Sequence, residues 1–203
     1  MAEKSAASTK STMSSKGTKS TKATISRTPT IFAPEWQGDT REALPLVGDE
    51  RELLTRHLDW HRETLLLKCE GVPPEELSQR KVPPSGLSLH GLVRHLAAVE
   101  RWWFRIQLAG EQVPLLYYTE DDPDQDFDSL DGDPAEALDG WRAECERSRG
   151  IVAAMGLDAT GTHARTGRPV SVRRVLIHMV AEYARHCGHA DLLRERIDGA
   201  TGR

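Results

Sequence analysis

Residues 172–199 read Val172-Arg-Arg-Val-Leu-Ile-His178-Met-Val-Ala-Glu182-Tyr-Ala-Arg-His186-Cys-Gly-His189-Ala-Asp-Leu-Leu-Arg-Glu-Arg-Ile197-Asp-Gly199. Apolar residues recur at helical spacing (Val175, Met179, Tyr183, Ala190, Leu193, Ile197), so the stretch is an amphipathic helix over about 172–197. Ser171 supplies an N-cap oxygen and Gly199 a stop.

Three more helices lie upstream. One runs from about Asp49 to Cys69, with Leu53, Leu54, Leu58, Leu65 and Leu66 on one face, and Gly71-Val72-Pro73-Pro74 ends it. A second spans about Leu89–Ala109, capped by Ser88 and closed by Gly110. A third opens at Pro134 behind Asp133 and runs to about Met155. Two long connections separate them: 117–134, with eight acids in 18 positions, and the Gly- and Pro-bearing 156–170. No segment alternates at period two. The fold class predicted is all-α, a four-helix bundle.

The last helix carries the chemistry. At 100° per residue, His178, Glu182 and His186 fall at about 0°, 40° and 80°, and His189 at about 20°. The apolar face centres near 120° on that scale, so Glu182 and His186 point furthest inward. Such an i, i+4 pair can share one metal without distorting the backbone. On the second helix His95 lies in an apolar stripe with Leu92, Val99, Trp102, Trp103 and Ile106, opposite Arg94, Arg101 and Arg105. His95, Glu182 and His186 together give three ligands and an open fourth position. The spacing alone also allows a hydrogen-bonded core histidine and a plain surface Glu–His pair.

Other features are weaker. His57 and His61 are also i, i+4, and a solvated face is the expectation for them. Asp124-x-Asp126-x-Asp128 begins like a calcium loop, but Ser129 replaces the required Gly and Ala135 the twelfth-position Glu, which rejects one. Cys69, Cys145 and Cys187 are odd in number and widely spaced, so they predict a reduced, cytoplasmic setting rather than disulfides or a zinc knuckle.

The net charge of −4 averages two unlike parts. Residues 1–30 hold five Lys, one Arg, one acid and 14 Ser or Thr, a net +5; the remainder sums to −9. Residues 1–37 are expected to be a disordered tail, with 38–202 carrying the bundle. Nucleic-acid binding is not expected except weakly through that tail. No run of 18 apolar residues occurs, which excludes a membrane span. Arg and Ala richness beyond the tail, with only two Lys there, suits a high-GC bacterium.

Several strings taken together resemble a known family. They are Val82-Pro-Pro-Ser-Gly-Leu-Ser-Leu, Gly91-Leu-Val-Arg-His95-Leu-Ala-Ala-Val-Glu100-Arg-Trp102, the His178–Glu195 stretch, and Ile197-Asp-Gly-Ala-Thr-Gly. They are similar to the actinobacterial mini-circle-protein family of the DinB / mycothiol-transferase superfamily, over about residues 38–202. The resemblance implies a DinB-like bundle holding one divalent metal, usually zinc or nickel. Many such proteins use three histidines; here Glu182 stands where many carry the first His of the pair. The mycothiol-dependent maleylpyruvate isomerases of that superfamily share the His / Glu-x3-His set.

The implied activity is a metal-dependent thiol S-transferase. A low-molecular-weight thiol such as mycothiol, ionised on the metal, would attack a small electrophile, with His189 orienting a ligand or carrying a proton. A metal-dependent hydrolase on the same site, and a non-catalytic metal- or partner-binding stress protein, remain the alternatives. A homodimer is implied by analogy alone.

Overall fold

The computed structural model describes residue 39 and residues 41–201. The expected tail, 1–37, lies outside the described residues. Four long helices form the body, as the periodicity predicts: α1 (Glu50–Cys69), α3 (Leu89–Glu100) with its π-helical continuation Arg101–Leu108, α5 (Pro134–Ala154) and α6 (Val172–Asp198). Two single turns stand between them, α2 (Pro74–Leu77) and α4 (Gln125–Asp128). Along its length α1 packs on α6, and α3 on α5.

The helix starts follow from local chemistry. The side chains of Asp49, Ser88, Asp133 and Ser171 each accept a backbone N–H of the first turn, at 2.8, 3.0, 2.9 and 3.2 Å. Pro134 occupies the first turn of α5, where its missing N–H costs nothing. Gly199 ends α6 in the left-handed region at φ 78°. Leu58, Leu65, Leu92, Leu96, Phe104, Trp141, Val175, Met179, Tyr183 and Leu193 fill the core.

The connection 156–170 differs from the expectation. It carries a short antiparallel hairpin, β1 (Thr160–Thr162) with β2 (Pro169–Ser171), in register Gly161 to Val170. Three residues per strand are too few to show a period of two. The hairpin lies against the π-helical segment so closely that a Cβ on Gly161 would fall 2.0 Å from the Gln107 carbonyl oxygen. Gln107 Oε1 accepts the Ala164 N–H at 3.1 Å from the same hairpin.

One buried polar network ties all four long helices. Arg62 (α1) donates from Nε and Nη2 to the two oxygens of Glu100 (α3) at 2.8 and 2.7 Å. The Tyr183 (α6) hydroxyl donates to Glu100 at 2.8 Å and accepts from Trp141 (α5) Nε1 at 2.8 Å. Each partner is satisfied, as a charge taken out of water requires.

The charged stripe of α3 is also a correction. Arg94, Arg101 and Arg105, which the pattern places opposite the core, do not face open water. Arg101 and Arg105 both donate to Glu144 of α5, at 2.6 and 2.9 Å. Arg94 is buried, donating to the carbonyls of Gln125 and Ser129. It thereby pins α4 against α3. Gly91 allows that approach, since a Cβ there would meet the Phe127 ring at 3.0 Å.

Candidate metal centre and its cleft

Helices α3 and α6 bring His95, Glu182 and His186 together. Glu182 Oε1 lies 3.3 Å from His95 Nε2 and 3.2 Å from His186 Nε2. The two imidazoles are 4.7 Å apart between centroids. One ligand atom from each residue falls within 4.8 Å of the others. The Glu182–His186 pair arises from the i, i+4 geometry of α6. His95 sits nearer the rim of the core than its centre: its side chain is 22% exposed, against 11% for His186. Of the apolar stripe through His95, Leu92 is buried in the core with Leu96 and Phe104, while Val99, Trp102, Trp103 and Ile106 are half-buried.

The far nitrogens of both histidines are also occupied. Asp126 of α4 receives His95 Nδ1 at 2.7 Å, and the Phe127 ring stacks on His95 at 5.0 Å. His189 Nδ1 lies 3.4 Å from His186 Nδ1. A carboxylate on Nδ1 fixes the tautomer and leaves Nε2 facing the cluster. Sequence reasoning passed over Asp126, because it lay in an acidic connection without periodicity. The alternating Asp124, Asp126 and Asp128 are its one signal in the sequence.

The electrostatics follow from this geometry. Burial disfavours the charged form of His95, yet its hydrogen bonds to Asp126 and Glu182 outweigh this and push it up to about 9. His186 and then His95 hold the Glu182 carboxyl well below the usual carboxylate range, against its burial. His189 is lowered, chiefly by burial and then by His186.

Beside His95 opens a cleft of about 480 Å³, lined by His95, Val99, Trp102, Tyr117 and Asp126 among others. Glu182 is not on its wall. The remaining histidines stand apart from the three-residue cluster. His178 packs on Trp103 at 4.5 Å. His57 and His61, expected on a solvated face, are half-buried, and His57 Nδ1 bonds the Leu53 carbonyl at 2.7 Å. All three cysteines are free and buried. Burial pushes the Cys69 and Cys187 thiols up to about 12 and Cys145 well above its ordinary value. A thiolate nucleophile at neutral pH is thus not supplied by the chain itself.

The sequence profile of the mycothiol-S-transferases matches residues 53–199, from α1 to the end of α6. The chain belongs to the mycothiol-S-transferase family. This DinB-like family membership agrees with the helical fold, and it points to a mycothiol S-transferase-like function with a thiol substrate. Among solved structures, a conserved protein from Enterococcus faecalis is similar, with a TM-score of 0.51, 16% identity, and coverage of 76% of this chain and all of that one. At that identity the likeness concerns the fold. Among curated proteins no match is found. Among the described residues no helix is long and apolar enough to cross a membrane.

Proposed function

We propose that this transferase-family chain is a metal-dependent mycothiol S-transferase that joins the thiol to a small electrophile. His95 Nε2, a Glu182 oxygen and His186 Nε2 would hold one divalent cation, zinc first and nickel second. The observation that carries this reading is the convergence of two imidazole nitrogens on one carboxylate oxygen beside an open cleft. Two nitrogens and one oxygen suit such an ion, and three protein ligands leave a position for a substrate atom. A cation held there would supply Lewis acidity that ionises a coordinated thiol near neutral pH.

The chain's own residues do the rest. Asp126 accepts the His95 Nδ1 proton and so keeps Nε2 available to the cluster. His189, assigned here as a positioning residue, plays the matching part for His186 at Nδ1. Trp102 and Tyr117 wall the electrophile's approach. In the transfer, sulfur forms a bond to carbon and the leaving group departs with the electron pair.

Mycothiol with monobromobimane tests the reading, the product being the bimane thioether plus bromide. Zinc- or nickel-loaded protein is expected to accelerate conjugation above the uncatalysed rate, and His186→Ala to abolish the acceleration. Metal-loaded wild type with no acceleration for this or other alkylating electrophiles would overturn it, leaving the hydrolase and non-catalytic alternatives.

A further inference from the structure

The cleft beside His95 carries more information than its position. Its wall includes Val99, Trp102, Leu115, Leu116, Tyr117 and Tyr118. Leu115 and Tyr118 are 40% and 44% exposed, so two of the large apolar side chains left to solvent meet at this cleft. Tyr117 adopts φ 49°, a left-handed conformation that is costly for an aromatic residue, and the Arg94 guanidinium stacks 4.3 Å from its ring. The strain and the stacking hold one aromatic face at the cleft.

The charged groups at the cleft are few. His95 is bonded to Asp126 and, through Nε2, to Glu182, so His95 and Asp126 already have partners. Arg165, in the turn between β1 and β2, is the remaining charged group, beside the polar tips of Trp102, Tyr117 and Tyr118. It is exposed, and among the described residues it has no hydrogen-bond or ion-pair partner. An apolar slot with one spare guanidinium at its edge selects for ring or chain carbon plus one carboxylate.

We infer that the cleft takes a flat, apolar organic acid, its carbon face against Trp102 and Tyr117 and its carboxylate on Arg165. The role of that acid as the electrophile rests on the transferase reading; its binding does not.

The test uses full-length protein, with 2-naphthoate and the neutral 2-naphthylmethanol as probes. Ligand anisotropy is expected to show saturable binding of both, the acid about tenfold tighter, as one charge-assisted contact provides. Arg165→Met, at an exposed turn position, is expected to erase the preference and leave the alcohol unchanged. Trp102→Phe is expected to remove most of the quenching of protein fluorescence by the bound acid. Absent binding, equal affinity for acid and alcohol, or a preference that survives Arg165→Met would overturn the inference. Neither metal nor mycothiol is needed, so such a failure leaves the transferase reading standing, and a failed conjugation assay leaves this result readable.

Discussion

Two polar clusters lie inside the bundle, and adjacent residues of α6 divide between them. Tyr183 belongs to the Arg62–Glu100–Trp141 network; Glu182 belongs with His95 and His186. The first is closed. It takes a residue from each long helix, Arg62 and Glu100 are 3% and 0% exposed, and both oxygens of Glu100 are paired with the one guanidinium. The second is open. It joins only α3 and α6, its residues keep some contact with solvent, and a cleft runs beside it. In the closed cluster positive charge comes from arginine, which is permanently protonated. In the open one it comes from the His95 imidazole, whose nitrogen can exchange a proton for a metal. The contrast separates polar groups that hold a bundle together from polar groups placed to act.

Arg62→Met strikes the closed cluster hardest. It leaves Glu100 buried without its cation and is expected to cost ~3–5 kcal/mol of unfolding free energy in denaturant melts. Metal stoichiometry of the protein that remains folded should not change. If that variant instead lost metal and kept its stability, the two clusters would be one. Asp126→Asn probes the support of the open cluster. Its expected effect is a 10–100-fold weaker metal affinity by calorimetry, about 1.4–2.7 kcal/mol. Unaltered affinity would reduce the Asp126–His95 contact to packing. Tyr183→Phe returns to the closed cluster. It removes one hydrogen bond to Glu100 and the acceptor for Trp141, and an equilibrium melt should show a loss of ~1–3 kcal/mol. A neutral result would mean that Arg62 alone satisfies Glu100.

The long helices were legible because their signals are local. Asp49, Ser88, Asp133 and Ser171 cap where capping chemistry says they should, and the α6 wheel put Glu182 and His186 toward the interior. What escaped depends on contacts distant in sequence. Arg94 looks like a surface charge until the carbonyls of α4, more than 30 residues on, are brought to it. Asp126 sits in a segment whose composition suggests only a solvated loop, and it gains its role by meeting His95 across 31 positions. The π-helical turn at Arg101–Leu108 has no composition signature, and it is covered by a hairpin whose strands are too short to show alternation.

The central claim is that His95, Glu182 and His186 bind a metal while the bundle stands without it. Elemental analysis after equilibration with zinc, and separately with nickel, tests it most directly on the full chain. Wild type should retain one divalent ion per chain. Glu182→Ala and His186→Ala should each retain little or none while keeping the helical circular dichroism of metal-free wild type. Metal content unchanged in both variants would contradict the claim.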